Sequence, residues 1–385
     1  MTRAARAAAA ALLLSAPGPA AALEARGDGS AAWPWSRARR RGGSASPSAS
    51  SAATWSPGTP LEVPKDVARD QCAVCEFHGK SAPSLYIDGR GDGLGNTMEA
   101  VIYGMAMAAH VGMNFGGVLH GNHVSHTVDT AQAVANAFGV PKVRIFPSPK
   151  PTLSSEVKTW QEISQATTGD RLGLGSSVLY KNNLPQFGIK DEPVEEYLTP
   201  EFLHTMRAQV MPRFAQMYPR SAIHDESKGM MVAFHVRRGD VKDLPDGGNW
   251  GRFTPNEWYL DLMARIQKYD PKADFHIWSS LRGANDQIDA GRNATFDVFR
   301  EKGVAVHLDT DEVETWAQMS QADVFVGAKS SFSFFPSLLT NGCVMYQKWL
   351  TRGLTTFIDA DIKTGPSDEG LERCMERAKN AQKQS

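Results

Sequence analysis

No stretch of this chain is apolar for long enough to cross a bilayer. Its most membrane-like run, Ala7 to Leu14, falls far short of the roughly 20 residues a spanning helix needs. An excess of one charge is missing too: 41 Lys and Arg against 42 Asp and Glu leave a net charge of −1. A chain so balanced does not gather nucleic acid by bulk attraction, so any anion it binds is held by a local site. Cysteine is scarce, four in 385 residues, which excludes a disulfide-dense miniature scaffold. Cys72 and Cys75 form a C-x-x-C with His78 nearby, but the second pair that a structural zinc site needs is absent. They read as disulfide partners in an oxidising lumen, with pairings to Cys343 or Cys374 left open. No repeat of solenoid length is visible.

What is present begins with a targeting pattern. Arg3 and Arg6 precede the Ala7–Leu14 run, followed by Pro17, Pro19 and the small residues Ala20, Ala21 and Ala22. That is the plan of a secretory signal over residues 1–25, cleaved after Ala22 or Ala25; an organelle transit peptide is the alternative. Residues 26–80 read as a low-complexity stem carrying the C-x-x-C, with Arg37, Arg39, Arg40 and Arg41 bunched in it. The remainder, 42% apolar over the whole chain, is globular and has room for about two domains. Those domains are expected at 81–225 and 226–385.

From residue 81 the pattern alternates between strand and helix. Strands are expected at Ser84–Asp88, Phe115–Leu119, Val143–Phe146 and Ser177–Tyr180, with helices over Thr97–Val111, Thr130–Phe138, Ser154–Gln165 and Pro200–Tyr218. The second half repeats the scheme. Strands are expected at Met230–Phe234, Asp274–Trp278, Val304–Leu308, Asp323–Gly327 and Val344–Gln347. Thr254, Pro255 and Glu257 spell a capping box for the helix after the first of these. Such alternation in two halves predicts an α/β fold, with two Rossmann-like domains of parallel sheet facing each other across a cleft.

The stretch that organises the chain is Met230 to Asp240, MMVAFHVRRGD. A doubly covered strand ends abruptly in His235, Arg237, Arg238, Gly239 and Asp240, where open α/β sheets bind their ligands. Arginine offers a planar fork of donors that fits phosphate oxygens. A second anion element follows at Lys329-Ser330-Ser331-Phe332-Ser333, small hydroxyl residues at a strand-to-helix turn. A third is the Gly-rich loop Gly89 to Asn96, which holds Gly93, Gly95 and Asn96 but does not satisfy G-x-G-x-x-G. Asp309-Thr310-Asp311 is formally a D-x-D, though its setting before a helix suits a cap better than a metal. Asn293-Ala294-Thr295 is a glycosylation sequon. Arg-Gly-Asp triplets at 26–28, 90–92 and 238–240 admit an adhesion reading.

His235-Val-Arg-Arg-Gly-Asp240, the loop Gly93-Leu-Gly-Asn96 and the turn Ser330-Ser-Phe-Ser333 together resemble the GDP-fucose-dependent fucosyltransferases, in family order, over roughly residues 84–350. That superfamily comprises the alpha-1,2-, alpha-1,6- and protein O-fucosyltransferases. The resemblance implies a GT-B-like fold and metal-independent, inverting transfer of fucose from GDP-fucose to a hydroxyl of a glycan or glycoprotein. No cofactor is implied beyond the donor. Arg237 matches the diphosphate-binding arginine, with His235, Arg238 and Asp240 beside it. Ser330, Ser331, Phe332 and Ser333 match the nucleotide-binding turn, and Gly93, Gly95 and Asn96 the acceptor-side loop.

The general base is left open among Asp243 and Asp246, after the arginine block, and Glu99, after the Gly loop. The chain departs from the family at His276-Ile-Trp-Ser279-Ser280, where serines stand in place of an acid that contacts the nucleotide. The rival from another class is a non-catalytic protein of the same fold that binds glycans or nucleotide sugars. A Golgi or ER lumen, or secretion, is the expected location.

Overall fold

The computed structural model describes residues 72–79, 81–89, 93–119, 124–125, 128–157, 162–163, 176–181, 197–241, 251–282, 295–347, 354–361 and 363–383. The targeting segment, nearly all of the stem, the triplet at 90–92, Asp243, Asp246 and Asn293 lie outside these residues.

In the first half, β1 (Ser84–Ile87), α1 (Leu94–His110) and β2 (Asn114–Val118) come first, then the short antiparallel pair β3 (Val124–Ser125) and β4 (Val128–Asp129). After them come α2 (Thr130–Phe138), α3 (Lys142–Ile145), β5 (Ser155–Val157), β6 (Ser177–Tyr180) and α4 (Pro200–Met217). The four-stranded sheet has the order β2-β1-β6-β5, parallel throughout.

The second half builds a larger parallel sheet. It runs β7 (Met231–His235), α5 (Asn256–Gln267), β8 (Asp274–Ser279), α6 (Asp297–Arg300), β9 (Ala305–Leu308), α7 (Glu312–Ser320) and β10 (Val324–Gly327). A 3-10 turn at Ser331–Ser333 leads into α8 (Phe334–Leu339), β11 (Cys343–Tyr346), β12 (Ile358–Asp359) and α9 (Asp368–Gln382). The strand order is β12-β11-β10-β7-β8-β9. The chain therefore moves from β7 outward to β8 and β9, then returns to the other side of β7 as β10. Between β7 and β10 the direction of winding reverses, and such reversals open a crevice beyond the carboxyl ends of the strands.

The period-2 geometry of β7 divides its side chains between two cores. Met231 and Ala233 join a cluster with Trp278, Phe325, Trp316 and Phe334 that continues into α1, β1 and α4. Val232 and Phe234 join a second cluster with Tyr259, Ile266, Ile277 and Met375. Every β7 side chain is buried, each large apolar one worth about 1.5–3 kcal/mol. The first cluster is shared by both sheets, so one body of apolar contacts backs them. Two disulfides are present, Cys72–Cys75 and Cys343–Cys374, the second tying β11 to α9.

The α/β class with two parallel sheets is as expected, but three local expectations fail. The strand expected at Val143–Phe146 is the helix α3, because its burial does not alternate: Ile145 is buried while Val143 stands exposed. The helix expected from Ser154 is instead strand at Ser155–Val157. There the sheet edge captures the backbone, the Ser154 amide donating to the Ser177 carbonyl at 2.7 Å. The capping box at Thr254 does not form. Pro255 is the N-cap of α5, with no side-chain cap bond, and the Thr254 hydroxyl turns to Gln347 Oε1 at 2.9 Å. Pro336 lies in α8, which is only six residues long, as a proline without an amide donor requires.

Candidate anion site at the sheet reversal

Arg237 follows β7 by two residues, and Ser330 follows β10 by three. The register that pairs Val324 with Val232 and Val326 with Phe234 brings these two loops side by side. Arg237 donates through NH1 to Ser330 Oγ at 2.6 Å and through NH2 to Asp240 Oδ2 at 2.7 Å. Its side chain is about one-fifth exposed, and its Nε–H, itself buried, meets no acceptor. The guanidinium is thus fixed at two corners, with its Nε–H and one N–H on each terminal nitrogen uncommitted. Ser330 Oγ also accepts from the Phe332 amide at 3.3 Å. With both lone pairs used, the hydroxyl proton is left for another acceptor.

His235 sits beneath this pair. Its Nδ1 and Ser333 Oγ are 2.6 Å apart, and Ser333 Oγ accepts from the Ala328 amide at 3.0 Å. Burial, then the charges of Arg237 and Arg252, hold the imidazole pKa down to about 3, so the ring is neutral at any working pH. The Phe332 ring stacks on Trp316 at 5.0 Å and lies 5.4 Å from His235. Trp316 Nε1 donates to the Phe332 carbonyl at 3.1 Å, which fixes the turn from the other side.

Two further cations converge here. Arg252 donates through Nε to the Lys329 carbonyl at 3.3 Å, and Lys329 Nζ donates to the Gly251 carbonyl at 3.2 Å. Burial first, and then Arg237, pull the Arg252 pKa down to about 10. Burial also lowers that of Lys329, against the opposing pull of Asp361. Cations held close together and desolvated are destabilised until an anion joins them. Arg252 stands two residues before the Thr254–Glu257 cap signature, and nothing in the sequence distinguishes it from a solvated arginine.

Arg238 turns the other way. It is buried, donates to the Arg237 carbonyl and to Asn256 Oδ1, and lies over the Phe253 ring at 4.4 Å. It braces the loop and the start of α5. Gly239 has φ +49, and a Cβ there would lie 2.5 Å from the Arg282 carbonyl oxygen. The turn after Arg238 therefore requires glycine.

The Gly loop reaches the serine turn through packing. Gly93 is the N-cap of α1, and Gly95 and Asn96 belong to the first turn of that helix. A Cβ on Gly95 would fall inside the backbone at Ser331 and Phe332. The Ser331 hydroxyl donates to Asn96 Oδ1 at 2.5 Å. Glu99, one turn on, is buried at 3% exposure and its charge raises the pKa of Tyr103, whose burial raises it more. Asp243 and Asp246 are outside the described residues.

At the ends of the neighbouring strands, Ser279 Oγ donates to the Val236 carbonyl at 2.5 Å. Ser280 Oγ donates to Asp309 Oδ1 at 2.7 Å, and the Leu281 amide to the same oxygen at 3.1 Å. An acid is therefore present at this edge, but it comes from the end of β9. Asp309 has φ 52, the single positive value outside glycine among the described residues. Asp311 caps α7, accepting from the Val313 and Glu314 amides, so the D-x-D divides into a cap and a strand-end acid.

The chain matches no protein-family model and no curated protein sequence. Among solved structures, POFUT1 in complex with GDP-fucose aligns over 69% of this chain and 96% of its own, with 13% identity and a TM-score of 0.36. A mutant of Arabidopsis thaliana FUT1 in complex with GDP aligns over 75% and 74%, with 11% identity and a TM-score of 0.37. The E. coli heptosyltransferase WaaC with ADP-2-deoxy-2-fluoro heptose aligns over 76% and 99%, with 10% identity and a TM-score of 0.36.

Proposed function

We propose that the chain is an inverting glycosyltransferase of GT-B type that moves fucose from GDP-fucose to a hydroxyl of a glycan or glycoprotein. The observation that carries this reading is the Arg237–Ser330 contact at the sheet reversal, with Arg252 and Lys329 close by. In such a transfer the acceptor oxygen attacks the anomeric carbon from the face opposite the diphosphate. The carbon–oxygen bond to the diphosphate breaks, and GDP leaves with the bonding electrons. Negative charge grows on the departing oxygens, and a cation already in place stabilises it without reorganisation. The Arg237 guanidinium is about one-fifth exposed and keeps N–H donors beyond its two bonds, so the charge is met by side chains and the step is proposed to be metal-independent. The acceptor proton goes to a carboxylate, for which Asp243, Asp246 and Glu99 are the candidates. Two disulfides suit an oxidising lumen, and no helix among the described residues is long and apolar enough to cross a membrane. The disulfides and the targeting pattern of residues 1–25 support a secretory-pathway location as part of this proposal.

Thermal unfolding with GDP, UDP, ADP and CMP tests the donor class, since a ligand of the native state raises apparent stability. GDP release from GDP-fucose, with a panel of glycan acceptors, then tests turnover. Stabilisation by GDP and turnover lost in Arg237→Ala are expected. Tight GDP-fucose binding with no turnover in either protein makes it a binding module; no response to any nucleotide overturns the proposal.

A further inference from the structure

The opposite edge of the larger sheet carries a different cluster. Asp274 opens β8, in register with Met231 at the start of β7, and so lies at the amino end of strands whose carboxyl ends hold Arg237. His276 is two residues on and shares its face. His224 arrives from the segment after α4, just past the 3-10 turn Arg220–Ala222. All three side chains are buried, at 4% exposure or less, and one ligand atom from each lies within 4.8 Å of the others.

Both imidazoles turn a nitrogen toward one carboxylate oxygen, and one of the two is poorly aligned with it. His224 Nδ1 is 2.9 Å and His276 Nε2 is 3.1 Å from Asp274 Oδ2. His276 Nε2 nevertheless makes no hydrogen bond of acceptable geometry, although it is buried. Its other nitrogen, Nδ1, is engaged at 3.0 Å by His307 Nε2, and His307 is stacked on Trp278 at 4.6 Å. A metal-bound imidazole shows this division of labour: one nitrogen faces the ion and the other is oriented by an outer partner. Ligand atoms about 2.0–2.2 Å from a tetrahedral zinc ion lie about 3.3–3.5 Å from one another. The two imidazole–carboxylate spacings need to open by only a few tenths of an ångström, and the two imidazole nitrogens lie within 4.8 Å of each other. Two imidazoles and a carboxylate form the borderline donor set that late first-row ions take.

We propose that His224, Asp274 and His276 bind one late first-row divalent cation, zinc foremost, which staples the segment after α4 to the amino edge of the sheet. Lys228 Nζ contacts Asp274 Oδ1 at 2.7 Å, and its side chain is half exposed. It swings into solvent when the ion enters, and water takes the fourth position. The site is separate from the anion site and takes no part in the transfer step, so the two assignments fail independently.

The test uses untagged full-length protein, stripped with a chelator and titrated with Zn²⁺ or Co²⁺. The expected results are one equivalent bound, the visible absorption of tetrahedral Co²⁺, and a higher Tm with Zn²⁺. His224→Gln and His276→Gln should each weaken binding by about 100-fold or more, beyond the 10- to 100-fold typical of outer-sphere changes. Should either variant fold poorly, Lys228→Ala keeps the question open to measurement. Removing the competing ammonium should tighten Zn²⁺ roughly tenfold or more, while Arg237→Ala leaves it unchanged. Absence of stoichiometric metal, equal binding in His276→Gln, or unchanged affinity in Lys228→Ala overturns the proposal and leaves a proton-linked Asp–His network.

Discussion

Arg237 and Ser330 are separated by 93 positions in the chain and joined by a hydrogen bond of 2.6 Å. The serine oxygen sets the plane of the guanidinium, and Asp240 holds its second nitrogen. If that arrangement serves a departing diphosphate, Arg237→Ala lowers turnover by about 10²–10³-fold. Its folding stability should hardly change, because the pair with Asp240 is partly exposed and such pairs contribute little. Ser330→Ala, which removes a neutral acceptor from a charged donor, should lower turnover roughly tenfold or more. Initial rates with GDP-fucose beside urea unfolding curves give both numbers. Wild-type rates and GDP affinity in Arg237→Ala would remove Arg237 from the chemistry.

Arg238 should behave in the reverse way. It is buried between Phe253, Asn256 and its neighbour's carbonyl, so Arg238→Ala leaves a void and unpaired acceptors. A loss of about 2–4 kcal/mol is expected, with GDP affinity reduced only as far as the loop loosens. Urea unfolding separates the two arginines: a large stability loss for position 237 and none for 238 would reverse their assigned roles.

The two halves of the chain meet at Gly95. A methyl group there is driven into the backbone of Ser331 and Phe332, which must move or push α1 away. Gly95→Ala is expected to cost about 1–3 kcal/mol as an overpacked contact. It should also disturb the turn that Arg237 addresses, so GDP affinity falls with stability. Asn96→Ala removes the Ser331 hydrogen bond and should cost about 1 kcal/mol. Unaltered stability in Gly95→Ala would show that the helix and the turn separate freely.

Much of this plan was readable from residue order alone. The apolar run before His235 and the hydroxyl run after Val326 mark strand ends by composition, and both strands lie where expected. Their adjacency was not readable, because strand order is decided by long-range pairing that no local pattern carries. Gly93, Gly95 and Asn96 stood out as a loop with ligand chemistry, yet Gly95 is small because a neighbouring backbone passes over it. Arg252 and the His224–Asp274–His276 cluster were invisible for the same reason, since each is assembled from segments distant in sequence. Thr254 had a cap signature, but a buried partner, Gln347, captured its hydroxyl. Tertiary contacts overrode the local preference there, as they did at the β5 edge.

His235 makes the pH dependence of the fold calculable in sign. Burial and the nearby Arg237 and Arg252 lower its pKa from 6.5 to about 3, so the folded protein keeps the ring neutral while the unfolded chain protonates it near 6.5. Between those values the unfolded state binds the extra proton, and stability falls as the solution is acidified. The slope from this one group reaches about 1.4 kcal/mol per pH unit and vanishes above about pH 7, where both states are neutral. His307, lowered to about 4, and His276, also lowered, act with the same sign, so the wild-type slope alone does not isolate His235. Comparison with His235→Gln does, because the amide can still meet Ser333 but takes up no proton. The stability gap between wild type and variant should narrow by about 2 kcal/mol from pH 7 to pH 5, as read by urea unfolding at the two values. A gap that stays constant would mean that the ring is protonated in the fold, beside two arginines, and that the neutral-imidazole arrangement beneath Arg237 is wrong.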